Sequence, residues 1–197
     1  MVHTLLHLIL YLNFPKSVVI GDVRYPSKIF ELWTTDEKKA IGIYEVIVDK
    51  TNYKDPAYYN NTDSSYSFAD DKVTESWGTA TPKQLEDRNA TDKDGVELDP
   101  VVVIDGLKTQ KKKIVKQQAS GLLEKTDWHN HKALDDDTYT IPDNIKTYRA
   151  NVRAKSNEME TQIDACTNVD ELKALYEYTT QEDGTQTRPL AEFPEEI

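Results

Sequence analysis

Near residue 105 the spacing of apolar residues changes, and with it the kind of structure the chain can adopt. Upstream, short β-branched and aromatic runs are punctuated by turn residues. Downstream, Leu107, Ile114, Val115, Gln118, Leu122 and Leu123 fall on one stripe of a helix, and Ile145, Tyr148, Val152, Met159 and Ile163 fall on a second. A single chain with two periods in sequence order reads as α+β, with an N-terminal antiparallel β-rich half. The C-terminal half is then an antiparallel helical hairpin with a short third helix and an extended tail.

The expected parts follow from that change. Residues 1–85 form a β-rich domain, residues 86–104 a charged linker and approach strand, residues 105–180 a helical domain, and residues 181–197 an extended tail. In the first part, "SVVIGDVRYP" reads as two strand pieces about a Gly21-Asp22 turn. "AIGIYEVIVDK" reads as a strand covered on both faces. "SYSFADDKVTESW" reads as a hairpin turning at Asp70-Asp71. In the helical part Asp105 is placed to cap the first helix, Pro142 suits the first turn of the second, and Thr167-Asn168-Val169-Asp170 suits a capping box opening the third.

The chain has 197 residues, with 35 Asp and Glu against 24 Lys and Arg and a formal net charge of -11. Such a field repels phosphate backbones and anionic headgroups, so neither nucleic acid nor a membrane is expected as partner. Lys111, Lys112 and Lys113 read as a solvated face. The one cysteine, Cys166, leaves no internal disulfide and falls where a small core residue is needed. The apolar run of residues 1–14 is shorter than the about 20 residues that span a bilayer and lacks the cationic start of a secretory leader. It reads as an arm docking on a neighbour through Leu5, Leu6, Leu8, Ile9 and Leu10, and the tail offers Leu190 and Phe193 for the same purpose.

Chemistry is suggested at one place only, "WHNHKALDDD". Its histidines, His129 and His131, are too close in sequence for a His-Asn-His nuclease, whose ligands come from separated parts of a metal-binding scaffold. Residues at i and i+2 share a face only on a strand, and no strand pattern is present, so the stretch reads as a loop. No nucleophile stands at a recognisable spacing from a base, and no glycine-rich phosphate loop is present. The expectation is no catalytic role, no metal and no cofactor.

Leu122, Leu123, Thr126, Asp127 and Trp128, followed after a proline-containing gap by Tyr148, Arg149 and Arg153, carry a resemblance. The succession resembles the C-terminal segment of tailed-bacteriophage tail fibre assembly proteins and related phage structural proteins. It covers residues 107 to about 178. Lys113, Lys116 and Gln117 stand where an upstream arginine is usual, and "HNHKALDDDTYT" replaces a proline-rich loop. The resemblance implies a non-catalytic fibre-associated chaperone or adaptor that binds a tail or fibre protein. It would be retained in the virion tail or act in the host cytoplasm during assembly, with self-association inside a larger assembly. Trp128 is expected to fold over Leu122 and Tyr148, with Arg149 and Arg153 reaching Asp127 or the aspartates at 135–137. The competing reading is a carbohydrate-binding, host-recognition module on the tyrosine-rich β half, built on Tyr58, Tyr59 and Trp77.

Overall fold

The computed structural model describes residues 17–197 and divides the chain into two compact units, Met1–Thr81 and Pro82–Ile197. The apolar run with Leu5, Leu6, Leu8, Ile9 and Leu10 lies outside the described residues. The mixed α+β class holds.

The first unit opens with strands β1 (Val18–Ile20) and β2 (Val23–Tyr25), paired antiparallel with Val18 opposite Tyr25. Gly21 supplies the positive φ of the turn, 60°. Two short helices follow, α1 (Ile29–Leu32) and α2 (Thr35–Ala40). The Thr34 hydroxyl accepts from the Glu37 N–H while the Glu37 carboxylate accepts from the Thr34 N–H, a complete capping box at the start of α2. Strand β3 (Val46–Asp49) comes next, then β4 (Tyr59–Asn60), β5 (Ser64–Ala69), β6 (Lys72–Trp77) and β7 (Thr81–Pro82).

Hairpin β5–β6 forms as its sequence predicts, with Ala69 opposite Lys72. Asp70 and Asp71 both adopt positive φ, 49° and 58°, as a two-residue hairpin turn demands. The rest of the sheet departs from the antiparallel expectation. It has three strands in the order β3-β6-β5, and β3 runs parallel to β6. The tight turn fixes β5 on one edge of β6, so β3 can join only on the other. The interval between β3 and β5 returns the chain far enough for a parallel pairing. Nor is β3 covered on both faces: Ile47 and Val48 are exposed. Among the described residues this unit buries Ile29, Tyr58, Tyr59, Val73 and Ala80.

In the second unit the expected charged linker is a hairpin. Strands β8 (Arg88–Asn89) and β9 (Val103–Ile104) pair antiparallel, and a bridge joins Thr91 to Glu97 beyond them. Gly95, with φ of 84°, closes the turn. The segment is rich in charge, but Asp92 accepts from the Asp94 and Val96 N–H groups and organises the loop locally.

Helices α3 (Leu107–Glu124), α4 (Asp127–Asp135), α5 (Asp143–Ala165) and α6 (Val169–Ala174) follow, then the short hairpin β10 (Thr179–Thr180) and β11 (Gln186–Thr187). Lys112 at the start of α3 pairs with Asp164 at the end of α5, and Lys116 with Glu160, so the two helices are antiparallel. Val115 and Ala119 meet the α5 face formed by Tyr148, Val152, Ser156, Met159 and Ile163, all buried. Ala119, Tyr148 and Val152 form one cluster with Leu122, Leu123 and Phe193 against it.

The inward stripe of α3 is rotated from the expected one. Ile114 is 46% exposed and Gln118 is exposed, while Lys108 and Ala119 turn inward. A small residue at 119 lets the helices approach closely, and Lys108 is tolerated because its ammonium meets a carboxylate and a carbonyl. It donates to Glu86 at 2.5 Å and to the Asp164 carbonyl at 3.0 Å. The basic run is therefore not a free solvated face: Lys111 lies over the Tyr176 ring at 4.7 Å, and Lys113 pairs with Asp105. Asp105 does not cap α3. Gly106 is the N-cap, and Asp87 from the hairpin accepts its N–H at 2.7 Å. The third helix is capped by Asn168, whose side chain accepts from the Glu171 N–H at 2.9 Å.

Among the described residues no helix is long and apolar enough to cross a membrane.

Candidate functional site

The corner between α3 and α4 is where the residues carrying the resemblance meet. Helix α3 ends at Glu124, leaving carbonyls of its last turn without intrahelical partners. Leu123 O collects three donors: the Thr126 N–H at 3.0 Å, the Thr126 hydroxyl at 3.0 Å and Arg149 Nη1 at 2.7 Å. Arg149 Nη1 also donates to Thr126 Oγ1 at 2.6 Å, and Nη2 to Asp127 Oδ1 at 2.6 Å. The Arg149 side chain is 8% exposed, whereas that of Asp127 is half-exposed. One guanidinium from α5 thus sits at the negative end of α3 and holds the acidic first residue of α4. A lysine could not do this, since a point charge lacks the planar fork that serves three acceptors.

Leu122 and Leu123 pack from α3 against Tyr148 and Val152, as the two apolar stripes predict. Arg153 reaches neither Asp127 nor the aspartates at 135–137; it donates to the Arg149 carbonyl at 3.3 Å and shores up α5.

Trp128 departs from expectation. It does not fold over Leu122 and Tyr148 but stands 53% exposed. The stretch expected to be a loop is helix α4, which nothing between Asp127 and Asp135 interrupts and which places consecutive residues about 100° apart. Trp128 therefore points outward where His129 points in. His129 is 8% exposed, and its Nδ1 lies 2.5 Å from the Tyr139 hydroxyl. The indole stacks on the imidazole at 3.7 Å between centroids, and Lys132 lies over the Tyr139 ring at 4.4 Å. The loop proper begins at Asp136, whose carboxylate accepts from the Thr138 N–H and hydroxyl. Those bonds hold the Asp136 carboxyl below the usual carboxylate range, the hydroxyl first. Among the described residues no cluster of three or more His, Cys, Asp or Glu is arranged to hold a metal.

The tail is part of the second unit's core. Leu190 is 2% exposed, and its N–H donates to the Leu175 carbonyl at 3.0 Å. The Gln162 amide on α5 grips the same segment from both sides, donating to Pro189 O at 3.1 Å and accepting from Ala191 N–H at 2.8 Å. Lys125 pairs with Glu196 at 2.5 Å and Arg188 with Glu192 at 3.0 Å. Leu190 and Phe193 are thus anchors within this chain rather than free docking residues. An apolar residue between prolines signals an anchor but does not say whose core receives it. Cys166 is buried, and burial pushes its thiol above the ordinary range.

In the first unit Tyr58 and Tyr59 are buried, so neither can offer a ring face to a sugar. Tyr53 and Trp77 pack edge to face at 5.1 Å.

Comparison with family models, with curated proteins and with solved structures finds no match to this chain.

Proposed function

We propose that the chain is a non-catalytic tail component of a tailed bacteriophage, a fibre-associated chaperone or adaptor that binds a tail or fibre protein and stays in the virion. The observation that supports this reading is the corner just described. Leu123, Thr126, Asp127 and Arg149, which carry the resemblance, form one hydrogen-bonded unit joining three helices. Its chemistry is mechanical: a satisfied guanidinium among carbonyl, hydroxyl and carboxylate acceptors has no proton to give and no nucleophile beside it.

What the corner holds rigid is an exposed indole. Trp128 lies one residue beyond Asp127, backed by the His129 ring. A large aromatic side chain fixed on a supported helix loses little entropy on docking, and tryptophan is the residue type most enriched at binding hot spots. In this proposal Trp128 meets the tail or fibre protein, while Arg149 and Thr126 hold it in place. The net charge of -11 is in keeping with a protein partner rather than nucleic acid or an anionic bilayer.

The test is mass spectrometry of purified particles, paired with co-expression pull-downs on the fibre and baseplate proteins encoded beside this chain. The expected result is a stoichiometric virion component whose capture by a tail protein is lost in Trp128→Ala, with the melting temperature lowered by no more than a few degrees, the scale of one lost aromatic stack. Absence from particles, with no capture by any tail protein, would overturn the proposal.

A further inference from the structure

The β8–β9 hairpin is apolar where a free hairpin should be polar. Val101, Val102, Val103 and Ile104 are between 40% and 59% exposed. Successive strand residues point to opposite faces, so apolar groups meet water on both sides of the ribbon. A continuous β-branched run of this kind is the pattern of a strand buried on both faces, flanked by other strands. Here the sheet has only two strands, and among the described residues no third strand pairs with β9. Two-stranded ladders are marginal in water, and an open edge is a template for another strand.

The hydrogen-bond register shows which groups face that edge. Asn89 stands opposite Val103, while the Ala90 N–H donates to Val102 O at 2.7 Å. Asn89 and Val103 are therefore the non-hydrogen-bonded pair, and the N–H and C=O of Val103 face away from β8.

The charge around the edge indicates the kind of partner. Asp94, Glu97 and Asp99 lie in the loop leading into β9 and are exposed. Joining two copies at this edge would bring together two chains that each carry a net charge of -11, which disfavours a second copy.

From these observations we infer that β9 is a docking edge that takes an extended strand of another protein, apolar along its length and flanked by lysine or arginine. The strand pairs with the Val103 backbone, its side chains cover the valines, and its cationic end beside the loop meets Asp94, Glu97 and Asp99. This recognition is separate from the Trp128 face and stands whether or not the partner there belongs to a phage tail.

The probe is a fluorescein-labelled peptide of alternating valine and threonine with two lysines at each end, titrated against the full chain by anisotropy. Controls are the same peptide with glutamates at its ends and with alternate amides N-methylated. Saturable binding below about 1 mM is expected, the weak end of measurable affinity. Both control peptides and Val103→Pro should weaken it by about tenfold or more, because proline at an outward-facing edge position removes only the outward donor. Where Val103→Pro fails to fold, Glu97→Lys with Asp99→Lys replaces it and should weaken binding while leaving the melting temperature unchanged. No saturable binding, or equal binding by the lysine-ended, glutamate-ended and N-methylated peptides, would overturn the inference. So would a dimer in sedimentation that Glu97→Lys with Asp99→Lys strengthens, since the edge would then belong to a second copy.

Discussion

Arg149 Nη1 donates to Thr126 Oγ1 at 2.6 Å, and through that contact α5 fixes the angle at which the chain leaves α3 and enters α4. The same nitrogen reaches Leu123 O, so a single side chain satisfies the exposed end of one helix and the first turn of the next. Removing it would take one donor from Leu123 O and one from the Thr126 hydroxyl, and would leave Asp127 without its cation. Arg149→Met is expected to cost about 3 kcal/mol or more in urea denaturation, the lower part of the range for breaking a buried ion pair because Asp127 is partly solvated. Arg149→Lys should recover only part of that loss. A loss below about 1 kcal/mol for the methionine variant, the net worth of one ordinary hydrogen bond, would mean the corner is held by Leu122 and Leu123 packing alone.

Gly106 is required for space rather than for conformation. Its φ of -74° is open to any residue, yet an added Cβ would lie 2.3 Å from the Glu86 carbonyl carbon and 2.5 Å from Leu85 O. Both are backbone atoms, so nothing can swing aside. Gly106→Ala is expected to destabilise by about 3 kcal/mol or more, the upper end for overpacking, and to disrupt the Asp87 cap. Matching thermal melts of variant and parent would show that the hairpin is free to shift relative to α3.

His129 and His131 lie two positions apart but should behave differently. His129 is buried, hydrogen-bonded to Tyr139 and covered by Trp128, whereas His131 is exposed. His129→Ala is expected to cost about 1–3 kcal/mol by orphaning the Tyr139 hydroxyl, while His131→Ala should be neutral. Equal effects in a chemical denaturation series would contradict that assignment.

The tail carries a similar expectation. Leu190→Ala should cost about 2–5 kcal/mol, as for other buried leucines, and deletion of residues 188–197 should cost at least as much. A deletion that leaves calorimetric stability unchanged would show that the Gln162 and Leu175 contacts contribute nothing in solution.

What could be read in advance depended on how local the cause was. The Asp70-Asp71 turn and the Asn168 cap are each set by residues within a few positions, and the helix pair is announced by an apolar stripe on each helix, so these signals are plain in the sequence. Thr34 and Glu37 are an equally local signal, a threonine three residues before a glutamate, which the β-rich reading of residues 1–85 passes over. The α4 helix was obscured because histidine, asparagine and aspartate are weak helix formers, and the contact that holds its first residue comes from Arg149, 22 residues on from Asp127. The parallel pairing of β3, the Asp87 cap on α3 and the docking of Leu190 are likewise contacts between distant positions, which periodicity does not encode. Of the expected site, the identities of Leu122, Leu123, Thr126, Asp127 and Arg149 were legible, but the outward direction of Trp128 was not. Its direction depends on where α4 begins.

Acid should unfold the second unit through its hydrogen-bonded carboxylates. The Gly106 N–H first, and then the Thr109 hydroxyl, hold the Asp87 carboxyl below its ordinary value, and the backbone and hydroxyl of Thr167 do the same for Glu171. A carboxyl depressed in the folded state binds its proton more tightly when the chain is unfolded. Its contribution is therefore present above the unfolded value and lost as pH falls through the folded one. Stability should be flat from neutral pH to about 5 and decline below about 4, where ordinary carboxylates titrate. Asp87→Asn should start lower at neutral pH, because the amide can still accept one hydrogen bond but carries no charge for the α3 N-terminus. It should also fall less steeply in acid, so that its curve approaches the parent's once Asp87 in the parent is protonated. Urea midpoints of parent and variant measured from pH 7 down to 3 decide this. Curves that remain parallel throughout would mean that Asp87 is not the group that couples protonation to the hold of the hairpin on α3.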